Sequence, residues 1–328
     1  MSWEGKRVLI TGAGGFIGSH LAEQLVKLGA NVKGLVHYNA LGTLGWLGTS
    51  LLRQEIEVIL GDISDYDSVH QAMQKTEIVF HLAALIGIPY SYHAPRSYVR
   101  TNIEGTLNVL QAGRALETER IVHTSTSEVY GTAQYVPIDE KHPQQGQSPY
   151  SASKIGADKL AEAFHLSFGL PITTVRPFNT FGPRQSTRAV IPTIISQCLN
   201  KNEKIQLGAL TPTRDLNYVS DTVNGFIKAA SAPQAIGKVI NVGSGKEISI
   251  GKLAQLIADL MSSSIYIETD KQRLRPENSE VERLLANNTV ARNLLGWEPT
   301  VSLEEGLNLT ISWIKEHREG YQSSDYIL

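Results

Sequence analysis

Two short stretches bring together side chains that can move protons. In Tyr150-Ser151-Ala152-Ser153-Lys154 a phenol and an ammonium stand four residues apart, which puts both on one face of a helix. A phenol with an ordinary pKa of about 10 is a poor base at neutral pH, and a neighbouring ammonium stabilises its anion. The spacing alone arises readily by chance. Its weight comes from context, because the helix that it opens follows a strand ending in Thr124-Ser125-Thr126-Ser127-Glu128-Val129-Tyr130-Gly131. That strand end adds the hydroxyls of Thr126 and Ser127 and the carboxylate of Glu128, a base suited to a carbon acid. The plainer readings are a turn-capping hydroxyl for Thr126 and a solvated surface carboxylate for Glu128.

A second cluster is built from glycine. Gly12-Ala13-Gly14-Gly15-Phe16-Ile17-Gly18 follows the apolar run Lys6 to Thr11 and opens a stretch with Ile17, Leu21, Leu25 and Leu28 at helical spacing. In a strand, turn and helix of this kind the first glycine permits the tight turn. The second lets backbone N–H groups approach a pyrophosphate, and the third lets the helix pack on the strand. The spacing therefore predicts a dinucleotide site, against the alternative of a purely structural turn.

These residues need a scaffold, and the chain reads as one. Strands are expected at Val32 to Val36, Glu57 to Leu60, Ile78 to Leu82, Ile121 to Thr124 and Ile172 to Val175. Helices are expected at Ser68 to Met73, about Tyr98 to Ala115, and Pro149 to Phe168. The alternation predicts a doubly wound parallel α/β sheet over residues 1–177. Later helix candidates at Val190 to Leu199, Thr222 to Ala230, Ile250 to Met261, Thr289 to Leu295 and Leu303 to His317 predict a smaller α+β cap over 178–328.

Composition removes other classes. A chain of 328 residues, at about 150 per domain, suits two lobes or one α/β unit with a cap. The formal charge of -2, without a run of basic residues, gives no reason to expect nucleic acid. No apolar run approaches the roughly 20 residues that span a bilayer, so a cytoplasmic protein off the membrane is expected. Cys198 is the single cysteine and the nine histidines lack ligand spacing, so no disulfide and no metal are expected.

The order Thr-Gly-x-x-Gly-x-x-Gly at Thr11 to Gly18 resembles the extended short-chain dehydrogenase/reductase superfamily. Gly61-Asp62-Ile63 and His81-Leu82-Ala83-Ala84 are similar to its adenine-side and ribose-side segments. The resemblance implies a cofactor site of Gly12, Gly15, Phe16, Ile17, Gly18, His37, Asp62, Ile63, Leu82, Ala83, Ala84 and Asn102. Tyr150 and Lys154 would meet the nicotinamide ribose. One departure is Val36-His37-Tyr38-Asn39, where an acidic residue would bind the adenosine ribose of NAD. No arginine for a 2′-phosphate stands there either, so NAD is expected, with NADP left open by His37 and Tyr38.

The same resemblance implies roles for the proton-moving residues. Thr126 would bond the sugar 4-hydroxyl beside Tyr150. Simple 4-epimerases of the superfamily carry small or apolar residues where this chain has Glu128, whereas dTDP-glucose 4,6-dehydratases hold Asp at the place of Ser127. GDP-mannose 4,6-dehydratases and UDP-glucuronate decarboxylases resemble this chain with Ser-Glu. Arg176-Pro177-Phe178-Asn179, Thr213-Arg214-Asp215 and Leu274-Arg275-Pro276-Glu277 are similar to substrate segments. They imply that Asn179, Arg188, Arg214 and Arg275 contact a nucleotide sugar, arginine being suited to phosphates.

Segments Leu85 to Tyr92, Phe178 to Ser186 and Leu274 to Glu282 look most like nucleotide-activated N-acetylglucosamine 4,6-dehydratases of the legionaminic and related nonulosonic acid pathways. Three alternatives stand beside that expectation: a UDP-glucuronate decarboxylase, a reductase that inverts C5 of a 5,6-unsaturated intermediate, and a nucleotide-sensing module without turnover. Helices near Tyr98 to Ala115 and Pro149 to Phe168 correspond to those that pair subunits in the superfamily, which implies a homodimer. The same family pattern implies that the chain rejoins the main sheet at about 215–245, through Val239 to Val242.

Overall fold

Short runs of β-branched and aliphatic residues become strands buried on both faces, as a parallel sheet covered by helices requires. In the computed structural model, residues 1–200 and 204–321 are described. The first six strands are β1 (Arg7–Thr11), β2 (Asn31–His37), β3 (Ile56–Gly61), β4 (Ile78–His81), β5 (Arg120–Thr124) and β6 (Ile172–Pro177). They are followed by β7 (Asn179–Phe181), β8 (Lys204–Leu207), β9 (Thr213–Tyr218), β10 (Val239–Val242), β11 (Glu247–Ser249) and β12 (Tyr266–Thr269).

Seven strands form one parallel sheet in the order β10-β6-β5-β4-β1-β2-β3. The order reverses between β1 and β4, and ligands of open α/β sheets bind in the crevice beyond the strand ends at such a point. The glycine loop, Asp62, Leu82 to Ala84 and Thr126 to Glu128 all follow the carboxyl ends of these strands.

One face of the sheet is covered by the helices Phe16–Lys27, Val219–Ser231 and Thr289–Leu295, whose Leu21, Phe226 and Ala291 share a core with Ile10 and Phe80. The other face is covered by the helices Tyr66–Met73, Gly105–Ala115 and Pro149–Phe168. A separate core joins the helices Val190–Leu199, Ile250–Leu260 and Leu303–Glu316 to the pair β8 and β12. Between the two cores runs a small sheet, β11-β9-β7. The chain does return to the main sheet: β10 pairs with β6, and Trp297 packs into the same core. Among the described residues, no helix is long and apolar enough to cross a membrane.

Two expectations needed revision. The helix expected from about Tyr98 begins instead at Pro95, widens to a π-turn over Val99–Glu104, and resumes as Gly105–Ala115. Such wide turns recur where a side chain is needed in a particular direction, and this one holds Asn102. The five strands of the cap and its border with the sheet, β7, β8, β9, β11 and β12, were not located, although an α+β cap was expected. β9 shows why: Arg214, Asp215 and Asn217 are buried within it, so it lacks an apolar pattern.

Candidate active site

The cofactor side is a floor made of backbone. Gly12 adopts φ +73, and a Cβ there would lie 2.9 Å from Ala83 Cα. A Cβ on Gly18 would lie 2.2 Å from the Gly12 carbonyl oxygen, so helix and turn touch without room for a methyl group. Gly15 caps the helix with no side-chain hydrogen bond, leaving the first amides at Phe16 and Ile17 to an anion. The residues thus fit a pyrophosphate at the sheet's reversal point.

Thr11 ties the two strands that flank this point. Its hydroxyl oxygen accepts from the amides of Leu82 and Ala83, each at 3.1 Å, and contacts His81 Nδ1 at 2.8 Å. With two donors already on that oxygen, its own proton goes to Nδ1. His81 Nε2–H then donates to Thr106 at 3.0 Å, and Thr106 donates to the Asn102 carbonyl at 2.6 Å. Burial holds the His81 imidazole far below its ordinary range, consistent with this neutral tautomer. The Asn102 amide is engaged inside the protein, accepting from Leu85 N and donating to the Leu85 carbonyl and to Ser153 Oγ. Asn102 therefore fixes the loop after β4 against the helix Pro149–Phe168.

On the adenine side, His37 is exposed at the end of β2, in register with Gly61. Asp62 next to it accepts from Ser64 N at 2.8 Å. Burial pushes the Asp62 carboxyl up, but the Ser64 hydrogen bonds outweigh it and hold the group below its ordinary value. Ile63 is buried, and its carbonyl accepts from Asn108. Sequence reasoning missed a further element here. A 3-10 turn, Gly45–Thr49, lies over the glycine loop, with Trp46 N donating to the Gly14 carbonyl at 2.9 Å and the indole meeting Trp313 of the cap edge-on.

The proton-moving residues converge at the end of β5. Thr126 caps a 3-10 turn, Ser127–Tyr130, by accepting from Glu128 N at 3.2 Å, and its side chain works against the upward push of burial on the Tyr150 phenol. Tyr150 is delivered by a capped helix: Ser148 and Ser151 form a reciprocal capping box and Pro149 takes the first turn. Lys154 follows one turn later and donates from Nζ to the Thr124 carbonyl at 2.6 Å. Thr126, Ser127, Glu128, Tyr150 and Lys154 are all buried, so the solvated-turn reading of Glu128 fails. Burial, with the charge of Glu128 added to it, pushes the Tyr150 phenol well above its ordinary value. Burial also lowers the Lys154 ammonium to about 8.

On the substrate side the arginines separate. Arg214 is buried and donates from Nη2 to Glu280 Oε1 at 3.0 Å, while Arg275 Nη1 lies 3.5 Å from the same oxygen. The negative charge of Glu128 is also felt at Arg214. Arg188 is exposed, with its charge felt at Tyr98, whose ring meets Tyr150 edge-on at 6.2 Å. Asn179 Oδ1 is a buried acceptor with no partner inside the protein, as a ligand-binding oxygen would be. Arg184, in the loop between Asn179 and Arg188, bonds Ser19 and Glu23 instead. The loop carrying Arg275 and Glu280 is fastened to the active-site loop. Gln147 Nε2 donates to the carbonyls of Asn278 and Glu280 at 3.2 Å, and Tyr92 Oη meets Ser279 Oγ at 2.6 Å. Tyr92 and Glu280 lay in segments noted for their resemblance but, like Gln147, were not singled out as residues, because each acts through partners far along the chain.

Fold and site agree with relatedness. The sequence profile of the GDP-mannose 4,6 dehydratase family matches residues 9–310, and the chain belongs to that family of nucleotide-sugar dehydratases, epimerases and decarboxylases. It is 35% identical over 325 residues to a UDP-N-acetyl-alpha-D-glucosaminuronate decarboxylase of Bacillus cytotoxicus, covering 95% of this chain and 98% of the relative. An epimerase of Methanothermobacter thermautotrophicus superposes with a TM-score of 0.90 at 31% identity, over 98% of this chain and 96% of that one. A UDP-glucuronic acid 4-epimerase from Bacillus cereus, solved with UDP-glucuronic acid and NAD, superposes with a TM-score of 0.86 at 30% identity, over 94% and 99% of the two chains.

Proposed function

We propose that the protein is an NAD-dependent nucleotide-sugar 4,6-dehydratase that converts UDP- or GDP-N-acetylglucosamine to the 4-keto-6-deoxy sugar. The observation that carries this reading is Glu128, a buried carboxylate whose charge is felt at the buried Tyr150 phenol. Oxidation at C4 needs only a hydroxyl, a phenol and an ammonium. A second, carboxylate base has work to do only at the neighbouring carbon.

Bound NAD would accept a hydride from C4, return it at C6, and add a positive charge beside the phenol. Gly12, Gly15 and Gly18 would leave room for its pyrophosphate, and Asp62 and His37 would receive its adenosine. Tyr150, as its anion, takes the C4 hydroxyl proton, with Thr126 aligning that hydroxyl and Lys154 stabilising the anion. Glu128 removes the C5 proton, acidic because a ketone now stands beside it. The C6–O bond breaks, and Glu128, with Ser127 in its reach, delivers the proton to the departing hydroxide as water. C5 regains a proton, equivalent to the one lost at the C4 oxygen. Arg214, Arg275, Arg188 and Asn179 would receive the nucleoside diphosphate.

A decarboxylase is the second reading. It is supported by the relative at 35% identity and by the basic group that stands within electrostatic reach of Glu128, Arg214. A C6 carboxylate would need such a contact. In either case residues 1–177, rejoined at about 215–245, would hold the cofactor, and 178–328 would select the sugar. The protein would work as a cytoplasmic homodimer. Leu166 and Phe168, 75% and 49% exposed on the helix Pro149–Phe168, support a covered face there.

The test incubates the enzyme with UDP-GlcNAc, GDP-GlcNAc, GDP-mannose and UDP-glucuronate, and follows products by mass spectrometry in deuterated water. Loss of water with deuterium at C5 supports the dehydratase, and loss of carbon dioxide selects the decarboxylase. Glu128→Gln is expected to slow water elimination by about 10²- to 10⁴-fold. An unchanged rate would overturn the role of Glu128.

A further inference from the structure

Behind the residues that meet substrate lies a buried carboxylate with no part in the chemistry above. Asp158 stands one helical turn beyond Lys154 and is 5% exposed. It accepts from His123 Nε2 at 3.0 Å, Ser125 Oγ at 2.7 Å, and Arg176 Nε and Nη2 at 3.2 and 2.9 Å. His123 and Ser125 flank Thr124, the residue whose carbonyl receives Lys154 Nζ. Two successive helical turns therefore grip three successive residues, just before the chain reaches Thr126, Ser127 and Glu128.

We propose that Asp158 is a positioning residue that locks the helix carrying Tyr150 and Lys154 to the strand end carrying Thr126 to Glu128. The inference rests on the reading of Tyr150 and Lys154 as the C4 machinery. Around Asp158 stand these charged and titratable groups, together with Tyr150 of the same helix, whose phenol its charge pushes up. From β5, His123 donates through Nε2 and leaves Nδ1 buried without a partner, and burial keeps its imidazole below the ordinary range. His81 stacks on His123 and is neutral for the same reason. From β6, Arg176 pairs with Asp158 and donates to Tyr130 Oη at 2.9 Å, and Tyr130 in turn donates to Asn241 of β10 at 2.7 Å. The charge of Glu140, in the segment between Tyr130 and the helix Pro149–Phe168, is felt at Tyr130, and that of Arg176 at Glu140, while Lys159, the next residue on the helix, turns outward to Glu162. For Lys154 the opposing influences are burial, which disfavours its charge, and Asp158, which favours it. Four hydrogen bonds fix the carboxylate that does this, so geometry and charge are set by one group.

Asp158→Asn keeps the shape and removes the charge. Thermal unfolding and NAD titration establish that the variant folds. Expected are a fall in kcat of about tenfold or more at pH 8, a KM for the nucleotide sugar within about threefold of wild type, and an alkaline limb of kcat moved about one unit lower. A purely structural residue would lower stability and activity without moving that limb, and a folded variant with the wild-type kcat and pH profile overturns the proposal. Should Asp158→Asn not fold, Asp158→Glu retains charge but shifts the peg. It is expected to keep the limb and lose about fivefold or more in kcat, and full kcat overturns the proposal. Tyr150→Phe is run in parallel: if it turns over normally, the underlying reading fails whatever Asp158 does.

Discussion

The cofactor floor and the substrate clamp use opposite materials. The floor is backbone, with glycines pressed against carbonyls at the sheet's reversal point and no charged side chain within the loop. The clamp is side chain: Arg214 from β9 and Arg275 from a loop meet at Glu280, and Gln147, before the helix Pro149–Phe168, and Tyr92, in the helix Ile88–His93, hold that loop in place. A backbone floor recognises a group common to every dinucleotide and tolerates no added atom. A side-chain clamp is adjustable residue by residue, which suits a family whose members share a cofactor and differ in sugar.

If that contrast is right, the floor should fail abruptly and the clamp by degrees. The largest effect is expected from Gly18→Ala, whose methyl group meets the Gly12 carbonyl at 2.2 Å. NAD affinity should fall by about a hundredfold or more, read by fluorescence titration, because the helix can no longer seat on the turn. A variant that binds normally would show that the floor can give. Next, Arg275→Met should raise KM for the nucleotide sugar about tenfold with little change in kcat, since one charge-assisted contact is lost and Arg214 remains. A fall confined to kcat would remove Arg275 from the clamp.

The smallest effect lies in stability against pH. Burial lowers Lys154 from its unfolded range to about 8. Between about 8 and the unfolded value of 10.5 the unfolded chain binds more protons at this site than the folded one, so its contribution to stability rises with pH across that window. Lys154→Met should be more stable than wild type below pH 8 and should lose that rise, as chemical unfolding at pH 7, 8.5 and 10 would show. Identical slopes for the two proteins would mean that the ammonium is not held in a dry place. In activity the sign is reversed, because the ammonium is needed and turnover should fall above about pH 8.

The same contrast governs what could be read from the sequence. The floor was legible because glycine spacing follows from local sterics, and the helix Pro149–Phe168 because Ser148, Pro149 and Gly169 mark its ends. The parallel sheet was legible from its apolar runs. The clamp was only half legible. Arg214 and Arg275 stood out through motif context, whereas Glu280 lay in a noted segment but pairs with Arg214 from 66 residues away, so its role was not visible locally. β9 escaped because its buried polar residues are satisfied by remote partners, Asp215 by the amides of Ser244, Gly245 and Ala286. The turn over the glycine loop escaped for a like reason, since Gly45–Thr49 is held by a backbone bond to Gly14 and by Trp313.

The wide turn at Val99–Glu104 has a consequence of phase. A helix is a ruler on which each residue advances the azimuth by about 100°, and a π-turn resets that count once. Before the reset, the ruler is aligned to bring Tyr98 against Tyr150. Within it Asn102 reaches both Leu85 and Ser153, and after it Val109 and Leu110 are aligned to the core. One residue removed from this turn would leave a sequence that still reads as a helix, yet it would put the loop after β4 and the buried face of Gly105–Ala115 out of step.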